Sequence, residues 1–157
     1  MKCKVFTSKN TDEWATPKAI YSQALELGMF DPCPLGGFID GLAIEWGKIN
    51  FVNPPYSQLR KWVNKAICEH RKNKDVIMLI PARTDTKAFL ELWNYGSTFT
   101  FIIGRLKYND TGTAPFPSMI VRLNGKNSVC KVIKREEITL IEEPETETIN
   151  ELKEINQ

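Results

Sequence analysis

Histidine is almost missing from the 157 residues, with His70 standing alone, and the four cysteines, Cys3, Cys33, Cys68 and Cys130, are scattered without a CxxC pair. Zinc-ligand spacing is therefore absent, and no metal is expected. Ser-His-Asp and Cys-His catalysis would both have to use His70, which sits in Glu69-His70-Arg71-Lys72 and reads as a solvated helix end. No apolar run approaches the roughly 20 residues needed to cross a bilayer, so no membrane association is expected. The opening MKCKVFTSKNTDEW lacks the charged-then-apolar pattern of an export signal. These absences point to a cytoplasmic protein with reduced thiols. Internal repeats and long low-complexity linkers are missing too.

What is present suffices for one domain. With 42% hydrophobic and 25% charged residues, a chain of this length buries a single core without disulfides or a structural metal. The formal net charge of +2 hides an asymmetry. Residues 136–157 hold eight glutamates and one lysine, a net of −7, whereas residues 1–135 carry 20 Lys plus Arg against 11 Asp plus Glu, a net of +9. A basic body of this kind suits a polyanionic partner, although a merely soluble basic domain would have the same balance. The expected division is a domain over 1–135 and an acidic tail over 136–157. The tail is read as partly disordered, or as a short strand before a frayed helix, with shielding of the basic face as a further option.

Hydrophobic spacing predicts a helix over 17–27, with Thr16 as N-cap, Pro17 at the first helical position and Gly28 as the stop. A short strand over 49–52 ends at Asn53-Pro54-Pro55-Tyr56, and an amphipathic helix follows over 59–71. The continuous apolar run 76–80 predicts a strand covered on both faces and halted by Pro81. A helix over 86–93, a strand over 98–103 and two final strands over 118–123 and 128–133 complete the series. The alternation predicts an α/β sandwich, mostly parallel, with helices on both faces and antiparallel strands at one edge. Ligands of such sheets bind at the carboxyl ends of the strands, where Asn53-Pro54-Pro55-Tyr56, the segment 81–86 and the segment 104–108 all fall.

The tetrapeptide at 53–56 is a chance event of roughly one in a thousand for a chain this long. Proline lacks an N–H and biases its predecessor toward extended backbone, so Asn53 and Pro54 are held extended at the strand end. The Asn53 side-chain oxygen and the Pro54 carbonyl then form two rigid acceptors beside the flat face of Tyr56. Two acceptors and an aromatic plate suit an amino group on a planar ring. Holding both its hydrogens turns the nitrogen lone pair toward an electrophile and favours the more tetrahedral nitrogen of the transition state. Stacking on Tyr56 would contribute roughly 1–3 kcal/mol. A rigid Pro-Pro turn with a half-buried tyrosine is the plainer alternative.

At this point the sequence resembles a known family. Asn53-Pro54-Pro55-Tyr56 resembles the catalytic motif of amino-directed methyltransferases. Over roughly residues 12–123 the chain is similar to phage-type, Dam-like DNA N-6-adenine methyltransferases. The similarity runs through Asp12-Glu13-Trp14, Thr16-Pro17, Asp31-Pro32-Cys33-Pro34, Asp40-Gly41-Leu42, Trp46-Gly47, the 53–56 motif with Ser57, Pro81 to Thr86, Gly104-Arg105-Leu106-Lys107 and Ala114 to Ser118. The resemblance implies a Rossmann-like methyltransferase fold, S-adenosylmethionine as cofactor, and methyl transfer to the adenine amine of DNA, with protection of phage DNA from restriction as its purpose.

Carried over, Asn53, Pro54, Pro55 and Tyr56 become the catalytic segment. Trp14, Thr16, Pro17, Asp31, Cys33 and Asp40 become cofactor contacts, with Asp40 the first candidate for the ribose hydroxyls and Asp31 the second. Trp46 is a further candidate for the cofactor's adenine. The chain departs from the wider pattern in having no GxG after Asp31 and only some 20 residues from there to Asn53. Arg83, Arg105 and Lys107 are candidates for the phosphate backbone and Phe116 for a wedge against a base. Modest sequence selectivity is expected, read by loops near 105–117 or supplied by a homodimer partner. Two other readings stay open: the same fold acting on a protein glutamine amide or an RNA amino group, and a non-catalytic binding protein.

Overall fold

The computed structural model describes residues 14–108 and 112–141. Cys3, the motif residues Asp12 and Glu13, and the reading of the stretch from 142 onward lie outside the described residues. Within them run α1 (Lys18–Glu26), β1 (Ile49–Val52), α2 (Leu59–His70), β2 (Asp75–Pro81), α3 (Lys87–Tyr95), β3 (Ser97–Ile103), β4 (Ser118–Leu123) and β5 (Val129–Lys134). Each lies where hydrophobic spacing places it, to within about two residues at either end. One difference is local: Thr16 does not cap α1. Its N-cap is Pro17, with no side-chain cap, because the Thr16 hydroxyl is used elsewhere. Thr86 does cap α3, its hydroxyl oxygen accepting from the Phe89 N–H at 3.2 Å.

The five strands form one sheet in the order β1-β2-β4-β3-β5. β2 is apolar on both sides because both faces of the sheet are covered. Val76, Met78 and Ile80 meet Trp62, Val63, Ala66, Ala88 and Leu92 of α2 and α3, while Ile77 and Leu79 meet Ile20 and Ala24 of α1. The expected α/β sandwich with helices on both faces is the observed one. The antiparallel component is placed differently. β4 runs against both β2 and β3 in the interior of the sheet, and the edge strand β5 is parallel to β3. Closely spaced strands at the end of the chain read as a hairpin, but both sides of β4 are already taken. The chain instead crosses past the start of β3. Asn124 and Gly125 donate their N–H groups to the Gly96 carbonyl, and a Cβ at Gly96 would run into the backbone of Lys126. Glycine is required there by the close approach.

Before β1, Phe30 forms a parallel bridge to Asn50, with Phe30 N–H to Ile49 C=O at 2.8 Å and Phe51 N–H to Phe30 C=O at 3.0 Å. This places Asp31 beside the carboxyl end of β1. At the other end of the chain, the packed body continues past the boundary expected at residue 135. Leu140 is buried in the core cluster that contains Ile20 and Ala24. The Gln23 amide accepts from Leu140 N–H and donates to the Ile138 carbonyl, and Arg122 donates to the Leu140 carbonyl at 2.7 Å.

Glu69 on α2 is wholly buried, yet Lys65, Lys72 and Lys74 reach its carboxylate at 2.9, 3.1 and 2.7 Å, and the Trp46 N–H donates to it at 3.3 Å. Burial raises its pKa, but the three ammonium groups and the backbone N–H outweigh this and hold it down at about 2. The network ties the loop before β1 to α2.

Two outcomes follow from this packing. Glu69→Ala removes the shared partner of Lys65, Lys72 and Lys74 and leaves the Trp46 N–H without its acceptor, and should cost about 1–3 kcal/mol in denaturant unfolding. Because the folded-state pKa lies below the unfolded value, the stabilisation from Glu69 is fully present above pH ~4.5 and is lost as pH falls toward 2. Leu140→Ala should cost about 2–5 kcal/mol by the same measurement, whereas a free tail at this position would leave stability unchanged.

Candidate active site

β1, β2 and β3 point the same way, so their carboxyl ends share one edge of the sheet. The reversed β4 begins at that edge, where Ser118 pairs with Pro81 and Ala82 N–H donates to the Pro117 carbonyl at 2.8 Å. Segments on either side of strands running in both directions therefore converge there: 53–56, 82–86, 104–108 and 114–118.

Asn53 leaves β1 with its amide fixed in one orientation. Its Nδ2 donates to the Trp14 carbonyl at 2.6 Å and to the Thr16 hydroxyl at 3.2 Å. With both amide hydrogens so engaged, Oδ1 is left as the acceptor. It receives one long hydrogen bond, 3.4 Å, from the Tyr56 hydroxyl, which keeps a second lone pair available. The Pro55 carbonyl accepts from Gln58 N–H and closes the 3-10 turn Tyr56–Gln58, so the turn is made by the second proline and not by Pro54.

Tyr56 belongs to a ring cluster that no sequence pattern announces. Phe116 lies 5.1 Å from Tyr56, 5.4 Å from Trp14 and 5.9 Å from Tyr108, measured between ring centroids, with the first two contacts edge-to-face. The single hydrogen of the Tyr56 hydroxyl is shared between Asn53 Oδ1 and the Tyr108 hydroxyl, 3.2 Å away, and the Tyr108 hydroxyl in turn shares a hydrogen with Ser118 Oγ at 3.0 Å. Tyr108 is buried, and burial raises its pKa. The chain from Asn53 through Tyr56 and Tyr108 to Ser118 joins β1, the loop after β3 and the start of β4.

Beside Asn53 opens a cavity of about 610 Å³, lined among others by Trp14, Thr16, Asp31, Cys33, Asn53 and Trp62. Asp31 is half-buried. Its Oδ1 accepts from Cys33 N–H at 2.8 Å, and burial raises its pKa above the ordinary carboxylate range against that bond. The wall continues through Gly36 and Gly37, whose φ values of +95° and +65° are ones that side-chain-bearing residues rarely adopt.

Sequence-selected residues that converge on this cavity are Trp14, Thr16, Asp31, Cys33, Asn53 and Pro55. Tyr56 and Phe116 meet in the adjoining ring cluster. Pro17 and Asp40 stand apart from the cavity wall. The Asp40 carboxylate accepts from Leu42 N–H at 3.1 Å in a local turn, and a Cβ on the neighbouring Gly41 would strike the Pro32 carbonyl and the Trp62 ring. The Asp-Gly-Leu pattern thus shapes the loop behind Asp31. Trp46 is buried in the core with Nε1 donating to the Gly41 carbonyl at 2.7 Å, and Trp62 lines the cavity in its place. The alternating apolar face of α2 carried a signal for Trp62, but equally for a core residue.

Arg83 is exposed and paired with Asp85 at 3.2 Å, while Arg105 and Lys107 lie exposed in the loop after β3. His70 ends α2 as expected, but it is half-buried, with Nδ1 2.6 Å from the Tyr95 hydroxyl and burial lowering its pKa. Among the described residues, no group of three His, Cys, Asp or Glu side chains could hold a metal ion, and no helix is long and apolar enough to cross a membrane.

An α/β sheet with an acceptor-lined cavity at its strand ends defines the class of proteins that bind a small molecule at that edge. The chain belongs to the DNA N-6-adenine-methyltransferase (Dam) family, whose model matches residues 39–152. Among solved structures it is similar to a predicted O-methyltransferase from Agrobacterium tumefaciens, at 14% identity and a TM-score of 0.37, covering 60% of this chain and 44% of that one. No curated protein matches the sequence.

Tyr108→Phe tests the hydroxyl chain independently of any ligand. It leaves the buried Ser118 hydroxyl without its Tyr108 partner, and should lower unfolding free energy by about 1–3 kcal/mol. An unchanged denaturation midpoint would mean the chain is not maintained in solution.

Proposed function

We propose that this protein transfers the methyl group of S-adenosylmethionine to the exocyclic amine of adenine in DNA. The observation that carries the reading is the fixed amide of Asn53, whose NH2 end is taken by Trp14 and Thr16 so that Oδ1 is left as the acceptor, in a residue that lines a cavity large enough for a small-molecule cofactor. Family membership supports the adenine amine as acceptor and the cofactor as donor.

The cavity residues suit that cofactor. Its volume lies within the usual 300–1,000 Å³ of small-molecule sites. Asp31 offers a half-buried carboxylate whose raised pKa marks a charge in need of a partner, which an ammonium or a pair of ribose hydroxyls supplies. Trp14 and Trp62 offer apolar walls, Gly36 and Gly37 allow close backbone approach, and Cys33 positions the Asp31 carboxylate through its N–H. When bound, the cofactor supplies an electrophilic methyl group on a sulfonium, so the protein's part is position, polarisation and exclusion of water.

Asn53 Oδ1 and the Pro54 carbonyl accept the two hydrogens of the adenine amine. Both acceptors bind the nitrogen more strongly as it becomes tetrahedral and positively charged, which lowers the barrier. The Tyr56 ring holds the face of the base, and its hydroxyl is kept in place by Tyr108. A base reaches this site only when it is out of the duplex stack, so the substrate is an extruded or unpaired adenine. The net charge of +9 over residues 1–135 favours nucleic acid over a protein amide.

Asn53→Ala should reduce tritiated-methyl transfer to unmethylated DNA by more than about 10²-fold, while calorimetry finds cofactor affinity within a few fold of wild type. A large loss of cofactor affinity would assign that asparagine to cofactor binding instead. Asp31→Asn should weaken the cofactor. In the wild type, affinity should decline as pH falls, beginning at a higher pH than for an ordinary aspartate because burial raises the Asp31 pKa. The Asn variant should lose that dependence.

A further inference from the structure

A second cleft, of about 470 Å³, lies on the other side of the segment that holds Asn53. Its wall includes three basic side chains from three distant parts of the chain: Lys18 at the start of α1, Lys107 in the loop after β3 and Arg135 in the turn after β5. Its floor is apolar. Ile20 and Leu106 are each only 2% exposed, and Pro17 and Ile138 flank them. Of the remaining polar wall, the Gln23 amide is committed to Ile138 and Leu140, and Glu136 meets Arg135 at 3.5 Å. Arg135 also donates to the Arg105 carbonyl at 3.3 Å, which holds its guanidinium beside the loop that carries Lys107.

Trp14 and Thr16 line the first cavity, whereas Pro17 and Ile20 line the second. The two are thus separated by the Thr16–Pro17 wall, and Thr16 itself touches Asn53. An apolar floor under a rim of three cations has the chemistry of a nucleotide, with the sugar or base against the floor and the phosphate among the cations. Lys107 and Arg135 beside one acidic side chain, Glu136, leave this part of the rim electropositive, which disfavours an uncharged or cationic occupant.

We infer that this cleft seats a nucleotide flanking the target adenine in the same DNA strand, its phosphodiester lying between Lys18, Lys107 and Arg135. This rests on the substrate reading above and goes beyond it in naming where the rest of the strand lies. The Thr16–Pro17 wall then divides the cofactor cavity from the flanking nucleotide, while the target base reaches Asn53.

The test uses the full chain and single-stranded oligonucleotides containing one adenine, with wild type compared to Lys107→Gln, Arg135→Gln and the double variant. Each substitution should weaken DNA binding regardless of sequence and lower the slope of log affinity against log salt by about 0.7 for each phosphate no longer neutralised. Cofactor affinity and melting temperature should stay as in wild type, which separates weakened DNA binding from a damaged fold. A neutral methylphosphonate stepped along the strand should cost wild type affinity at one position beside the target and cost the double variant nothing there. Variants that keep wild-type affinity and salt slope, or methylphosphonates that affect wild type and double variant alike, would overturn the assignment of the cleft alone. A wild type that neither binds nor methylates DNA would overturn the substrate reading and this one with it.

Discussion

One strand running against its neighbours decides what this protein can assemble at its working edge. In a sheet of parallel strands, only segments that follow strands reach the carboxyl-end edge. β4 lies between β2 and β3 and runs the opposite way, so the segment that precedes it arrives at the same edge. Phe116 and Ser118 are delivered in this manner. Without the reversal, Tyr56 would lack Phe116 as a ring neighbour and Tyr108 would lack Ser118 as a hydrogen-bond partner. Reversal has a steric condition of its own, because the chain leaving β4 must pass the start of β3, and it does so against a glycine.

On that frame a single amide is turned the right way. Asparagine can present a donor or an acceptor, and the choice is made by what its other half touches. Here the Trp14 carbonyl and the Thr16 hydroxyl take the NH2 end. The segment that makes this choice comes from just ahead of α1, so the threonine that local sequence logic assigns to a helix cap is instead used to hold the acceptor. The same short segment separates two cavities of different character. One is apolar with a half-buried carboxylate, the other apolar with a basic rim. On the proposed reading, in which a small donor and a long polyanion meet at one nitrogen, there is use for two such spaces side by side.

Charge is handled differently in the two halves of the molecule. The lysines around Glu69 are consumed in a structural network that fastens the loop before β1 to α2. Counting them toward a nucleic-acid surface would overstate it. The cations at the second cleft come instead from elements far apart in the chain, and their meeting depends on residues 135–140 being packed onto α1 through Gln23 and Leu140. That packing is why the acidic end of the sequence does not begin as a separate tail at residue 136.

The eight regular elements were legible in the sequence, because periodicity, proline and glycine act over a few residues and tertiary context rarely overrides them when a run is strongly patterned. So was the place of Asn53-Pro54-Pro55-Tyr56 at the carboxyl end of β1, since a proline holds its predecessor extended and ends the strand there. Strand order was not legible: β4 and β5 look like a hairpin locally, and only the competition for the two sides of β4 sends β5 to the far edge. Nor could the sequence tell which of Asp31 and Asp40, or of Trp14 and Trp46, would reach the cavity, because each stands in turn-like or apolar surroundings. Distance in space separates them, and distance in space is set by which faces pack. Sequence determined the local conformations and the reactive groups; the tertiary structure decided which of those groups face one another, since that depends on contacts between residues far apart in the chain.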